Sequence, residues 1–527
     1  MRIGISIEKS RVSSVVVNRN GAILSNIATR MSGGLYETVK TNITKLVEFR
    51  RHEISHVFIG TDFVRAMLPY HYDQTPVGVI RLAGHRPDIL MPCFNWPDEL
   101  RERIFMGVET VDGGNDFNGD EIDPLCEEEI IEAANRLIQK NAGVIVICGV
   151  FSTFYPEQEW RAERIIKKHC KVETVCCNKL GIVGFMEREN AGILNATFKK
   201  TFTDKVSEIK RVFDELNMDC DLYFTQTNGA ALSYEDACLY PFQTIDSVIL
   251  NAFEGATRLT QYENSCVMYM DEMGTFAKMM QKGLTPYLAG NPEITYDQFT
   301  VPNVYFANVG LNSSVTIQDY NITIGEPCDV LAAKTTFTLE SALKICNGLT
   351  NFDEEVDVMT AYRVIKKAEN MLVDFYKRIN NRSAPGPLIL SGPAAALFPQ
   401  HESVVIAPFS NFSSAYGAAM HGLTACMTAT MQFTDREEQV EQIYKSIIQK
   451  IIDMKGFEPH ITCFQVKPFR YLPEEWAHVM VMAHGEVEPT KNEEKPTIPQ
   501  DMLIDNLSGN LEKTVSYEIE TFIAEVS

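Results

Sequence analysis

The chain has 527 residues, 45% hydrophobic and 22% charged, with 48 basic against 70 acidic side chains and a formal net charge of −22. That length exceeds the roughly 250–300 residues at which a single core stops growing, so two or three lobes are expected in an otherwise ordinary globular protein. The acidic surplus argues against nucleic acid or an anionic membrane as partner. With no run of about 18 apolar residues and a strand pattern from the start, neither a membrane span nor a signal peptide is expected, and the expected address is cytoplasmic.

Ile3, Ile5 and Ile7 alternate with Arg2, Gly4 and Ser6, and Val15, Val16 and Val17 form a second apolar run, so the chain opens on a β-hairpin. Its turn, "EKSRVSS", is charged. A helix over about 34–50 follows, then the strands "HVFIGT" and "PVGVIRLA". Residues 87–124, rich in Pro, Gly and Asp, read as a long inserted loop with a small β element. A helix over 127–140, the apolar strand "GVIVICGVF" and the helix "EQEWRAERIIKKH" give an α/β alternation with a sheet covered on both faces. Residues 187–219 read as helical, and the strand "CDLYFTQ" opens a second region.

There "SCVMYM" and "FAKMMQKG" form another hairpin that echoes the first and suggests duplicated lobes. A helix "REEQVEQIYKSIIQKIIDM" and two strands, "HITCFQVKPFRYL" and "AHVMVMAHGEVE", follow from about Gln432. Beyond Glu488 the chain is polar and expected to be mobile, with "TVSYEIETFI" a candidate final strand. The 13 cysteines sit mostly in apolar strings, and their odd number argues against a disulfide framework; Cys176 and Cys177 read as a buried structural pair. The histidines show no metal-ligand spacing, and His478 and His484 share a strand face.

Five blocks in order carry a resemblance: "FNWPDEL", "LGIVGFMERENAGILNATF" (180–198), "YFTQTNGAALSYEDACLYP" (223–241), "NVGLNSSVTI" and "LILSGPAAAL". Together, over residues 1–425, the chain resembles the hydantoinase/oxoprolinase family in its shorter members. The resemblance implies a two-lobed actin-like ATPase fold, the fold of acetate and sugar kinases, Hsp70 and actin, with an inserted loop region and a C-terminal α+β extension. The implied domains are 1–200, 201–425, 426–488 and a tail over 489–527. It also implies ATP hydrolysis coupled to opening a cyclic amide of the hydantoin or 5-oxoproline type, by phosphorylating the carbonyl oxygen in a cleft between the lobes.

Against that pattern several loops depart. The family's first phosphate loop resembles D-x-G-G-T-x-T-D, whose glycines let backbone N–H groups reach phosphate. Here those positions are Ser6, Ile7, Glu8, Lys9, Ser10, Arg11, Val12 and Ser13. Glu8 puts an anion where a glycine would allow close approach. In the second hairpin an ungapped match falls on Tyr269 to Phe276, and a match slid by two puts Asp271, Gly274 and Thr275 on family types; neither register has the paired glycines. A third loop keeps Gly310, and Gly392 is followed by Pro393, which has no N–H. On the substrate side the family's G-G-H becomes Gly113, Gly114 and Asn115, a weaker metal-binding set.

The candidate catalytic residues are Asp271, Glu187 and Arg188, and the candidate nucleotide-side residues are Ser6, Ser10, Gly274, Thr275, Gly310 and Gly392; no metal site is expected. Each has a plainer reading. Residues 187–190 suit a helix-capping and inter-lobe polar cluster, Asp271 with Gly274 and Thr275 suits a hairpin turn, and Gly417 suits close helix packing. Two functions follow: a scaffold that has lost ATP turnover and acts by binding an active family relative or itself, or an active hydrolase of a cyclic amide. No cofactor is expected under the first, ATP and magnesium under the second.

Overall fold

The computed structural model describes residues 1–487 except 32–33, 48–50, 65–73, 85–89, 95, 118, 181–183, 281–292, 295–298, 301–303, 319–320, 329–335, 349–355, 381–385, 399–403, 433–435 and 469–475. The tail over 489–527, with "TVSYEIETFI", lies outside the described residues.

Two sheets share one topology. In the first, β1 (Arg2–Ile7) pairs antiparallel with β2 (Arg11–Val17), and β2 antiparallel with β3 (Ile23–Arg30). On its other side β1 runs parallel to β4 (His56–Thr61). A separate parallel sheet is built from β5 (Val77–Leu82), β6 (Phe105–Val111), β7 (Val144–Gly149) and β8 (Glu173–Cys176), in the order β6-β5-β7-β8. The chain then returns to the first sheet, adding β9 (Asp221–Thr225) parallel to β4 and β10 (Ala231–Ser233) antiparallel to β9.

The second sheet repeats the hairpin-plus-parallel pattern. β11 (Ser265–Met270) pairs antiparallel with β12 (Thr275–Met280). A short pair, β13 (Glu293–Ile294) with β14 (Phe299–Thr300), lies in the connection from β12 to β15 (Tyr305–Ala307), which adds antiparallel to β12. The hairpin of β16 (Ser313–Gln318) and β17 (Asn321–Pro327) follows. Strands β18 (Leu388–Ser391) and β19 (Val404–Ile406) then extend the sheet in parallel beyond β11. Repetition of order and direction makes the duplication visible where residue identity does not.

Burial explains these elements. β2 is buried on both faces: Val12 and Val16 meet Val39 and Ile43 of α1 (Leu35–Leu46), while Val15 and Val17 meet the other layer. In the parallel sheet Ile80, Ile145 and Ile147 face α3 (Glu127–Gln139) and α4 (Glu157–His169), and Val79, Val144 and Val146 face α5 (Phe185–Glu215). A strand apolar on both faces belongs in such a covered sheet. The stretch expected as an inserted loop with a small β element holds that element as β6, a parallel edge strand, and adds a helix, α2 (Asp98–Ile104), which starts behind Pro97 with Asp98 and Glu99 in its first turn. Its Pro and acidic residues are a helix start signal.

The expected division at residue 200 falls inside α5, a helix of 31 residues, and β9 and β10 belong to the first sheet, so the first lobe extends through α6 (Tyr234–Leu239). Helices α7 (Ser247–Thr260), α8 (Leu339–Cys346) and α9 (Val358–Asn380) follow, the last two covering one face of the second sheet. Between the two sheets α7 crosses α10 (Ser413–Met420) at backbone contact: a Cβ on Gly255 would run into Ser413 O, and one on Gly417 into Asn251 O. Gly417 is thus the close-packing glycine its context suggested. The last part pairs β20 (Leu423–Gln432), β22 (Trp476–Glu486) and β21 (Phe457–Pro468) antiparallel, in that order, under α11 (Arg436–Asp453). Among the described residues no helix is long and apolar enough to cross a membrane.

Candidate functional site

The turns of the two equivalent hairpins face each other across the lobes. In the first, the Glu8 N–H donates to Arg11 O at 2.9 Å and the Ser6 hydroxyl to Glu8 Oε1 at 3.3 Å. The Arg11 guanidinium lies 3.4 Å from Glu8 Oε2 and donates to Asn411 O at 3.4 Å, and both Glu8 and Arg11 are buried. In the second, one oxygen of Asp271 accepts from the N–H groups of Met273 and Gly274 at 2.7 Å each, while the Asp271 N–H donates to Gly274 O at 2.9 Å. Thr275 donates to Val309 O at 2.7 Å.

Neighbouring loops close over this turn. Gly310 lies so close to Gly274 N and Glu272 O that a side chain there would collide with backbone, and its N–H donates to Ser313 Oγ at 3.0 Å. Gly392, at φ 94°, packs on Met270 O and donates to Ser410 O at 3.0 Å. Ser10 is buried, its carbonyl accepting from Met31 N–H at 2.7 Å. Seven of the nine expected residues, Ser6, Ser10, Asp271, Gly274, Thr275, Gly310 and Gly392, therefore belong to these two turns and the loops on them.

Carboxylates crowd this place. Burial, then the nearby Glu8 carboxylate, pushes Asp271 up to about 7, against the two N–H groups that favour its charged form. Burial and Glu8 also raise Glu272, despite Arg11 and Arg30. Burial opposes the Arg11 charge, yet Glu8, Tyr269 and Glu272 together raise it. At the rim Arg30 meets Glu340 at 2.5 Å and Glu272 at 4.0 Å. Arg30 and Glu340 carry no motif that could have paired them, since 310 residues separate them.

The other two expected residues lie elsewhere. Glu187 is exposed in the first turn of α5, and Arg188 is buried with a guanidinium nitrogen donating to Gly149 O at 2.6 Å. Beside it Glu159 accepts from Gly149 N–H at 2.8 Å and Asn178 N–H at 2.9 Å. Glu189 takes two bonds from Arg81, at 2.6 and 2.7 Å, and Asn190 accepts from Cys93 N–H at 3.0 Å. These partners place the 187–190 cluster within the first lobe, where it ties the start of α5 to β5 and β7, not between the lobes. Arg81 had a signal in the sequence: a cation inside an apolar strand must bring a partner with it. Asn115, at the family's histidine position, holds its own loop through Gly119 O at 2.9 Å. Among the described residues no three His, Cys, Asp or Glu side chains are grouped to hold a metal.

Residues 15–170 match the hydantoinase/oxoprolinase N-terminal region. By that match the N-terminal part of the chain belongs with the hydantoinase/oxoprolinase family. No curated protein matches it. Among solved structures it is similar to acetone carboxylase in a nucleotide-free structure described under ATP-dependent acetone carboxylation, at 13% identity and TM-score 0.68, covering 95% of this chain and 89% of that one. It is also similar to the ATP-dependent caprolactamase from Pseudomonas jessenii, at 13% identity and TM-score 0.61, with the same coverage of 95% and 89%. At such identity the likeness speaks for fold alone. With the repeated sheet order, the fold is the two-lobed actin-like ATPase fold.

In this chain the residues at the two turns do not fit a nucleoside triphosphate. The N–H groups of Glu8, Met273, Gly274, Gly310 and Gly392 all donate to protein oxygens. Glu8, Asp271 and Glu272 would face the phosphates with carboxyl groups, and Arg11 is already engaged by Glu8 and Asn411. A phosphate needs free donors and a positive field; here these five backbone donors are spent and the acids outnumber the guanidinium groups.

Proposed function

We propose that this chain keeps the scaffold of an ATP-dependent hydrolase of cyclic amides, of the hydantoin or 5-oxoproline type, without turning over ATP, and works by binding, as a regulatory or partner subunit of an active relative or of itself. The observation that carries this reading is the first turn, where the buried Glu8–Arg11 pair and the internal bond of the Glu8 N–H take the place of a bare phosphate loop. The names of the two similar structures speak of ATP-dependent chemistry. That chemistry requires a phosphoryl group to be gripped and neutralised, and removing one preorganised donor typically costs about 3–4 kcal/mol of barrier. Several loops have lost theirs together.

A second reading has one observation in its favour. Asp271, held near 7 beside Glu8, has the proton affinity of a general acid or base at neutral pH. An active hydrolase using Asp271 would need the cleft to accept ATP and magnesium.

Differential scanning fluorimetry separates the readings. At 100 times a dissociation constant, a ligand adds about 2.7 kcal/mol of stability, or several degrees of Tm in a protein of this class. ATP with magnesium at millimolar concentration is expected to shift Tm by less than about 1 °C, and no ADP is expected with hydantoin or 5-oxoproline present. A reproducible shift of several degrees, or ADP release that depends on the cyclic amide, overturns the proposal in favour of the second reading.

A further inference from the structure

We infer that the cleft is latched shut by the protein's own cross-lobe charges, with Arg30 and Arg11 bridging the lobes where a ligand would otherwise do so. This rests on the reading above and adds the regulation of the same site. Arg30 ends β3 in the first lobe. Its guanidinium reaches Glu340, in the first turn of α8, at 2.5 Å and Glu272, in the second hairpin turn, at 4.0 Å. Arg11, from the first hairpin, reaches Asn411 O at 3.4 Å, just ahead of α10, and its charge is sustained by Glu8, Tyr269 and Glu272. Both guanidinium groups thus come from the first sheet, and both have partners in the second half of the chain.

The latch has a definite charge composition. The carboxyl groups of Glu8, Asp271, Glu272 and Glu340 converge with Arg11 and Arg30, and Lys344 also holds Glu340, at 2.9 Å. Without the guanidinium groups the two turns would present like charges to each other, Glu8 from one and Asp271 with Glu272 from the other. Closure therefore depends on two cations shared between lobes. Arg11 is buried and stays with Glu8 whatever the lobes do, whereas Arg30 is half exposed and its partners are all across the cleft. Arg30 is the member that opens, and its exposure makes opening sensitive to ionic strength.

Hydrogen exchange on the full chain tests this. In about 50 mM salt, Arg30→Gln and Glu340→Gln are expected to speed amide exchange in the 271–274 turn about threefold to tenfold, with Tm nearly unchanged. The double variant Arg30→Gln/Glu340→Gln is expected to exchange no faster than Arg30→Gln alone, because both single changes remove the same contact. Raising salt to about 1 M speeds exchange in the parent and has little further effect in Arg30→Gln. The inference is overturned when the single variants exchange like the parent, or when the double variant speeds exchange by the product of the two single effects while all three proteins stay folded by circular dichroism. The fluorimetry with ATP and magnesium, run on the same proteins, keeps the two proposals apart. A parent that binds nucleotide defeats the binding-protein reading, whereas a parent that ignores nucleotide while Arg30→Gln exchanges unchanged defeats only the latch.

Discussion

Arg81→Leu is expected to lower the free energy of unfolding by about 3–5 kcal/mol, among the larger effects available to one substitution. Arg81 sits on β5 with 2% of its surface exposed, and its guanidinium makes two bonds to Glu189, itself fully buried, and a third to Leu90 O. Burial alone already lifts the Glu189 carboxyl above its usual range, with Arg81 opposing that lift. Removing the guanidinium leaves an acid in the interior with its main counter-charge gone, and its proton affinity climbs further. The sign of the pH dependence follows. A carboxyl whose folded pKa lies above its unfolded value holds a proton that the unfolded chain releases, so folding is penalised increasingly as pH rises between those two values. The loss in Arg81→Leu should accordingly be larger at pH 8 than at pH 5 in urea titrations. Arg81→Leu/Glu189→Leu should recover most of it, because a fully apolar pair carries no desolvated charge. A single variant as stable as the parent at both pH values would show that the pair does not bear on the fold.

How far the sequence reveals this molecule depends on whether the deciding interaction is local. The two hairpins are legible, since Ile3, Ile5 and Ile7 alternate within one strand and "SCVMYM" fills another, and periodicity is a local signal. The extent of the first lobe is not legible, because β9 returns to pair with β4 after the whole parallel sheet has intervened, and nothing near Asp221 announces that partner. In the Pro-, Gly- and Asp-rich stretch over 87–124 a small β element is legible, but not α2 or the parallel pairing of β6 with β5; Gly107, at φ 141°, is part of the strand itself. At the site, Glu8 stands out as an anion where a phosphate turn would have none, yet its neighbours Arg30 and Glu340 could be found only in three dimensions. Glu187 and Arg188 show the limit most plainly. Adjacent residues in one motif take opposite fates, one exposed and one buried against Gly149, because a helix turns by about 100° between them.

Asp271→Asn is expected to stabilise the protein at pH 8 by about 2–4 kcal/mol and to leave it nearly unchanged at pH 4. The folded pKa of Asp271 is raised to about 7 from an unfolded value near 3.8, first by burial and then by Glu8. Between those values the unfolded chain has released the proton and the folded chain has kept it, so this residue's contribution becomes more unfavourable as pH rises from about 4 to about 7 and levels off above. Asparagine removes the titration while its carbonyl oxygen can still accept from the Met273 and Gly274 N–H groups that hold the turn. Urea unfolding of parent and variant at pH 4, 6 and 8 should therefore give curves that diverge upward in pH. Parallel curves would remove Asp271 as the origin. The same comparison bears on function. In a working ATP site the aspartate would be drawn down by magnesium, and its loss would weaken nucleotide-linked stabilisation. In the binding protein proposed here the Met273 and Gly274 N–H groups lower it less than burial and Glu8 raise it, so replacing it relieves a repulsion with Glu8 and adding magnesium and ATP changes neither curve.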